Sequence, residues 1–240
     1  MARAPVPALA AACCAAYLAA LLALDHYASY PEQLLLGVAT WVVLVALAWR
    51  LPLVQRAMVL GVVCFATIGE VTGSLIWGVY RYRLHNLPLF VPPAHGLVFL
   101  TGLSFAVALR RHQRLLVAAA AAAAATWGVL GLTVLPRRDV AGAVGVPLLL
   151  LFLWRSRNRA VYASVFLVVA ALELYGTAIG TWRWAPALPG LGIPDGNPPS
   201  GVASGYVWFD VMAVFVSPLV IRALRTRPGG EQPPPLSTPA

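Results

Sequence analysis

Eight apolar stretches, each near the roughly 20 residues needed to cross a hydrocarbon core, constrain this 240-residue chain more than any other feature. A backbone in lipid must satisfy its own polar groups, so each stretch reads as a helix: about 5–24, 34–50, 57–79, 93–110, 115–135, 139–154, 159–181 and 203–223. With 60% hydrophobic and 10% charged residues and a mean hydropathy of +0.80, the chain has too little polar surface to coat a soluble globule. The fold class expected is all-α, a polytopic membrane helical bundle forming one domain over 1–225. The Pro-rich segment 226–240 reads as a disordered tail. The first stretch follows Arg3 and has the look of a signal sequence without a convincing cleavage site, so it is read as a retained span.

All 17 basic residues are arginine, and the formal net charge is +9. In a soluble domain that balance would point to nucleic acid; here the arginines fall in short loops between apolar stretches, which a membrane explains better. Twelve lie on one set of loops and ends, against five on the other: Arg81, Arg83, Arg137, Arg138 and Arg183. The positive-inside rule then places both termini in the cytoplasm. Arginine without lysine, beside long Ala and Leu runs, points to a GC-rich bacterial genome and hence to a bacterial inner membrane. Cys13, Cys14 and Cys64 sit inside apolar stretches with no metal or disulfide spacing, and read as small packing residues.

Glu70 to Phe99 and Glu173 to Trp208 follow one plan. Each runs from an acid inside an apolar helix, through Gly and an aromatic-Arg-aromatic triplet, across a Pro-rich loop and into a second apolar helix. Glu70 and Gly73 match Glu173 and Gly176 at a single offset, whereas Tyr80-Arg81-Tyr82 answers Trp182-Arg183-Trp184 one position out of step. His95 to Thr101 aligns with Ser204 to Asp210. The plan reads as an internal duplication: two tandem four-helix repeats, about 1–110 and 111–225, in parallel orientation.

Three acids lie well inside spans, Glu70, Glu173 and Asp210, and an ionisable group in hydrocarbon marks a site by default. Glu173 and Asp210 fall at similar depth on consecutive helices, which suits a pair sharing one proton. Each Glu shares its helix face with glycine, leaving room for a neighbouring helix or for a flat apolar substrate. Trp77, Tyr80, Tyr82, Trp182, Trp184 and Tyr206 fit two readings: an aromatic belt at the membrane interface, or walls whose π-faces stabilise a cation. Arg81 and Arg183 suit either an anionic head group or a simple interfacial position. The turns VPP before Ala94 and GNPPSG over 196–201, with Asn197, are read as lids near the site, and His95 as an acid, base or cap. No haem pair, metal motif, Gly-rich phosphate loop or Lys for a Schiff base is present, so neither metal nor cofactor is expected.

The pattern Glu-x-x-Gly, Trp-Gly-x-Tyr-Arg-Tyr and a Pro-led entry into the next helix, over residues 70–99, resembles the membrane carotenoid-biosynthesis proteins of the bisanhydrobacterioruberin hydratase type. Trp77 stands where that family has Phe. The duplicated plan also looks loosely like the tandem membrane lycopene cyclases, with Ala94-His95 and Ser200-Gly201 in place of their paired acids. The resemblance implies hydration or cyclisation of a polyene within the bilayer. The residues by themselves suit that chemistry, with Glu173 or Glu70 donating a proton to a C=C bond, Asp210 as its partner, and Trp77, Tyr80, Trp182 and Trp184 as the wall.

The expected function is therefore an integral membrane enzyme acting on a lipid or isoprenoid substrate. Two other classes stand beside it: a proton-coupled transporter, which needs polar pathways to both faces, and a non-catalytic scaffold or assembly subunit, which would tolerate Glu-to-Gln replacement.

Overall fold

Each apolar stretch becomes a helix in the computed structural model, which describes residues 8–225. In chain order these are α1 (Ala8–Tyr27), α2 (Tyr30–Ala48), α3 (Leu53–Glu70), α4 (Val91–Ala108), α5 (Gln113–Thr133), α6 (Val140–Arg155), α7 (Arg159–Ile179) and α8 (Val202–Arg225). Seven are long and apolar enough to cross a membrane, as a multi-pass membrane protein requires; α6, with 16 residues, is shorter. The segment 226–240, expected to be a disordered tail, lies outside the described residues, as do residues 1–7. Val91–Pro93, expected as a loop, instead form the first turn of α4, where proline is favoured because the first helical N–H groups need no partner.

The most enclosed of the spans is α4, which packs against α1, α2, α3 and α7. Its sequence is apolar on every side, the composition of a helix with no water-facing stripe, and Leu97, Phe99 and Leu100 are buried in it. Helices α3 and α8 pack together along their length, as do α4 and α7, so α3, α4, α7 and α8 enclose a common centre.

Two glycines turn the chain out of this bundle. Gly78 (φ 75°) and Gly180 (φ 80°) adopt the left-handed conformation that other residues enter only at a cost, and each ends its helix and releases an extended triplet. The triplets β1 (Tyr80–Tyr82) and β2 (Trp182–Trp184) pair antiparallel, with Tyr80 opposite Trp184, Arg81 opposite Arg183 and Tyr82 opposite Trp182. This ribbon ties the end of α3 to the end of α7.

The two helices reach the ribbon differently. α7 stays α-helical through Glu173 to its cap, where Thr181 N–H donates to Gly176 C=O at 2.9 Å. Beyond Glu70, α3 widens into a π-helix, Val71–Trp77, and the equivalent cap bond, Val79 N–H to Gly73 C=O at 2.8 Å, spans one residue more. One extra residue lies between Glu70 and Gly78 compared with Glu173 and Gly180, and the wider turn absorbs it. The one-position slip between the triplets is therefore taken up in the helix, and the ribbon stays in register.

Candidate functional site

Glu70 is the last residue of α3, where the helix changes from α to π. Its Oε2 accepts hydrogen bonds from the hydroxyls of Tyr80 and Tyr82, both at 2.7 Å, and its Oε1 lies 3.0 Å from His95 Nε2 on α4. Alternation along β1 sends both tyrosines to the same side of the ribbon, towards the carboxyl. Gly73 makes this possible: a Cβ there would meet Tyr80 Cε1 at 2.9 Å. Burial first, then the Glu70 charge, push the Tyr80 and Tyr82 hydroxyls above the ordinary tyrosine range, so both remain donors.

Glu173 repeats the arrangement with indoles. Its Oε2 accepts from Trp182 Nε1 at 2.9 Å and from Trp184 Nε1 at 3.4 Å, and its Oε1 accepts from the Tyr206 hydroxyl at 3.4 Å. The Trp182 ring occupies the space that a Cβ at Gly176 would fill. The glycines beside the glutamates thus accommodate neither a neighbouring helix nor a substrate. They seat an aromatic ring from the glutamate's own ribbon strand.

One partly open pocket joins the two carboxyls. A cavity of about 270 Å³ is lined by both glutamates, His95, Tyr206 and the four ribbon aromatics, and otherwise mainly by apolar side chains of α1, α4, α7 and α8 such as Leu18, Val98, Val169 and Phe209. The His95 ring stacks on the Tyr206 ring, with centroids 4.7 Å apart and planes within 20°. A continuous series of contacts therefore runs from Glu70 through His95 and Tyr206 to Glu173. Such an arrangement offers two proton-carrying groups, aromatic faces and an apolar space between them. Among the described residues, no group of three or more His, Cys, Asp or Glu side chains is placed to hold a metal ion.

The other sequence-predicted residues lie elsewhere. Asp210 is buried on α8, but it does not line the cavity and no hydrogen bond joins it to Glu173, so the proton-sharing pair expected from depth is not formed. It lies four residues beyond Tyr206 on nearly the same side of α8, about 6 Å further along the helix axis, past the reach of the cavity. Trp77, expected as part of the wall, is half exposed and donates from Nε1 to Pro189 C=O at 2.9 Å, outside the cavity. Arg81 and Arg183 project from the opposite face of the ribbon and are exposed. Asn197 accepts from the backbone N–H of Trp184 at 2.9 Å, fixing the GNPPSG turn to the ribbon, while Gly201 at the end of that turn reaches the cavity.

Three buried acids lie at or beyond the ends of the expected spans: Asp25, Asp139 and Asp195. Asp139 precedes the first turn of α6, and its carboxylate accepts from the N–H groups of Gly142, Gly196 and Ser200 at 2.9, 3.1 and 2.6 Å, so it holds the GNPPSG turn in place. An Asp immediately before an apolar helix is the signal of such a cap. Asp25, in the last turn of α1, accepts from Gln33 Nε2 at 2.7 Å, and Gln33 in turn accepts from Asn86. Beside Asp139, burial and the Asp139 charge push Asp195 up to about 7, against the opposing pull of Arg137. Compared with known protein families, curated proteins and solved structures, the chain matches none of them.

Proposed function

We propose that this protein is a membrane enzyme that performs proton-initiated chemistry, hydration or cyclisation, on an alkene of a lipid or isoprenoid substrate. The observation that carries the reading is the meeting of Glu70 and Glu173 in one apolar, aromatic-walled cavity. Glu173 serves as the proton donor, because no cationic side chain contacts its carboxyl and two of its three hydrogen bonds are long, at 3.4 Å. Its proton adds to one alkene carbon, and the π electron pair forms the new C–H bond. The faces of Trp182, Trp184 and Tyr80 stabilise the cation left on the other carbon. Water then adds its oxygen and loses a proton, or an internal alkene closes a ring and a neighbouring carbon loses one. The Glu70–His95 pair receives that proton, and Glu173 is reprotonated to complete the cycle.

At about 270 Å³ the cavity is smaller than the roughly 300–1,000 Å³ of pockets that enclose whole ligands, so the end of a long chain enters and the remainder stays in the bilayer. The reading includes two tandem repeats in parallel orientation. The antiparallel register about Arg81 and Arg183, and the matched hydrogen bonding of each glutamate by its own triplet, support it. It also places the protein in a bacterial inner membrane, with both termini cytoplasmic and the ribbon outside, on the strength of the arginine distribution.

The test is mass spectrometry of lipid and pigment extracts from a host that makes polyene precursors. The host expresses wild type, Glu173→Gln or Glu70→Gln at matched membrane levels. A product heavier by one water, or isomeric with its precursor, is expected from wild type and absent from Glu173→Gln. A product formed unchanged by Glu173→Gln would falsify the assignment and favour a scaffold in which the carboxyls only bind their neighbours.

A further inference from the structure

Strand alternation that directs four aromatic rings into the cavity directs two arginines away from it. Arg81 and Arg183 sit directly opposite each other on the ribbon, a position that brings Cβ atoms to about 4.5–5.5 Å and makes like charges repel. Neither guanidinium has an acid to answer it: among the described residues neither forms an ion pair with a carboxylate. The two arginines line an open groove with Arg83 and His85, and no carboxylate lines it. Arg137 stands beside Arg183, its guanidinium tied to the carbonyls of Trp184 and Ala185. Arg83 is anchored in the same way, on the carbonyls of Asp25 and Ala28. The groove therefore has one fixed cation, Arg83, in its wall and two unengaged guanidinium forks at its centre.

We propose that this outer face of the ribbon is a binding site for a phosphate group, gripped between the Arg81 and Arg183 forks. Planar forks match the oxygens of phosphate in pairs, and an anion between them converts the cross-strand repulsion into attraction. The ribbon lies just beyond the ends of two spans, the level at which lipid phosphates lie, so either a phospholipid head group or a free phosphate or diphosphate could supply the ligand. The groove is on the opposite face of the ribbon from the carboxyl cavity, so it stands or falls independently of the chemistry proposed there.

Thermal unfolding in an uncharged detergent tests the site, with inorganic phosphate or diphosphate added in one arm. In the other arm, the protein is reconstituted in phosphatidylcholine vesicles with and without phosphatidylglycerol. Wild type is expected to melt higher with one of these anions, as any ligand of the folded state requires. Arg81→Gln with Arg183→Gln is expected to abolish the shift, and each single variant to weaken the apparent affinity by at least about tenfold, the loss of one charge-assisted hydrogen bond. The control, Arg110→Gln with Arg111→Gln, removes the same charge from an exposed turn elsewhere and is expected to keep the shift. Response to inorganic anions identifies a soluble ligand; response to phosphatidylglycerol alone identifies a head group. Without anion the double variant is expected to melt at or above wild type, because a repulsion has been removed, which separates lost binding from lost folding. No response in wild type to either source, or equal loss in the control, overturns the site.

Discussion

Gly176→Ala tests whether the glycines beside the glutamates are there to seat aromatic rings. In the interior of a helix this change ordinarily stabilises by up to about 1 kcal/mol. Here the added methyl meets the Trp182 ring, so the indole must move. Overpacking of this kind costs about 1–3 kcal/mol. Withdrawing Trp182 Nε1 from Glu173 costs about 1–3 kcal/mol more, since it leaves buried polar groups without their partner. Set against the helical gain, the net loss is about 1–5 kcal/mol, or roughly 2–20 °C in melting temperature for a chain of this size. Gly205→Ala is the matched comparison: it lies in α8, and a Cβ there meets nothing within 4 Å. It is expected to melt at or slightly above wild type while its methyl narrows the cavity it lines. The assay is thermal unfolding in detergent followed by tryptophan emission, with near-ultraviolet dichroism reporting the indole environment. If Gly176→Ala melts with wild type and leaves the dichroism unchanged, the seating argument is wrong.

Two further outcomes follow from the same contacts. Tyr80→Phe and Tyr82→Phe each leave Glu70 Oε2 one donor, whereas the double variant leaves none, so the double is expected to lose about 1 kcal/mol or more beyond the sum of the singles; additive losses in thermal unfolding would count against a shared acceptor. Asp195 has its folded value raised from 3.8 to about 7, so the folded state holds the extra proton between those limits. Stability is therefore expected to fall as pH rises from the lower value to the upper and to level off above it, and Asp195→Asn is expected to remove that slope.

The helices were legible because a membrane span has one solution for its backbone, and eight apolar stretches translate directly into α1 to α8. The ribbon was not: three-residue strands carry no periodic signal, and pairing Tyr80 with Trp184 depends on how two distant helices pack. Glu70 and Glu173 stood out through the cost of burying a carboxyl, yet their partners did not. Aromatic residues near a span end follow the same pattern whether they line an interface or bond an acid, and only the left-handed turns at Gly78 and Gly180 decide which way the rings point. Asp210 illustrates the reverse limit. Its depth was expected to match that of Glu173, but it stands one turn further along α8 than Tyr206, and it is Tyr206 that reaches the Glu173 carboxyl.

The ribbon also dictates an order of assembly. Each glutamate finds its ribbon donors within 9 to 12 residues along the chain, so those contacts can form as soon as a helix and its turn have been inserted. Pairing β1 with β2 joins segments about a hundred residues apart, with four helices threaded between them. Closing so long a loop is the slow, entropically costly step. The first half therefore waits with Glu70 already bonded to its tyrosines and its strand edge open, and the cavity gains its roof only when the second half arrives.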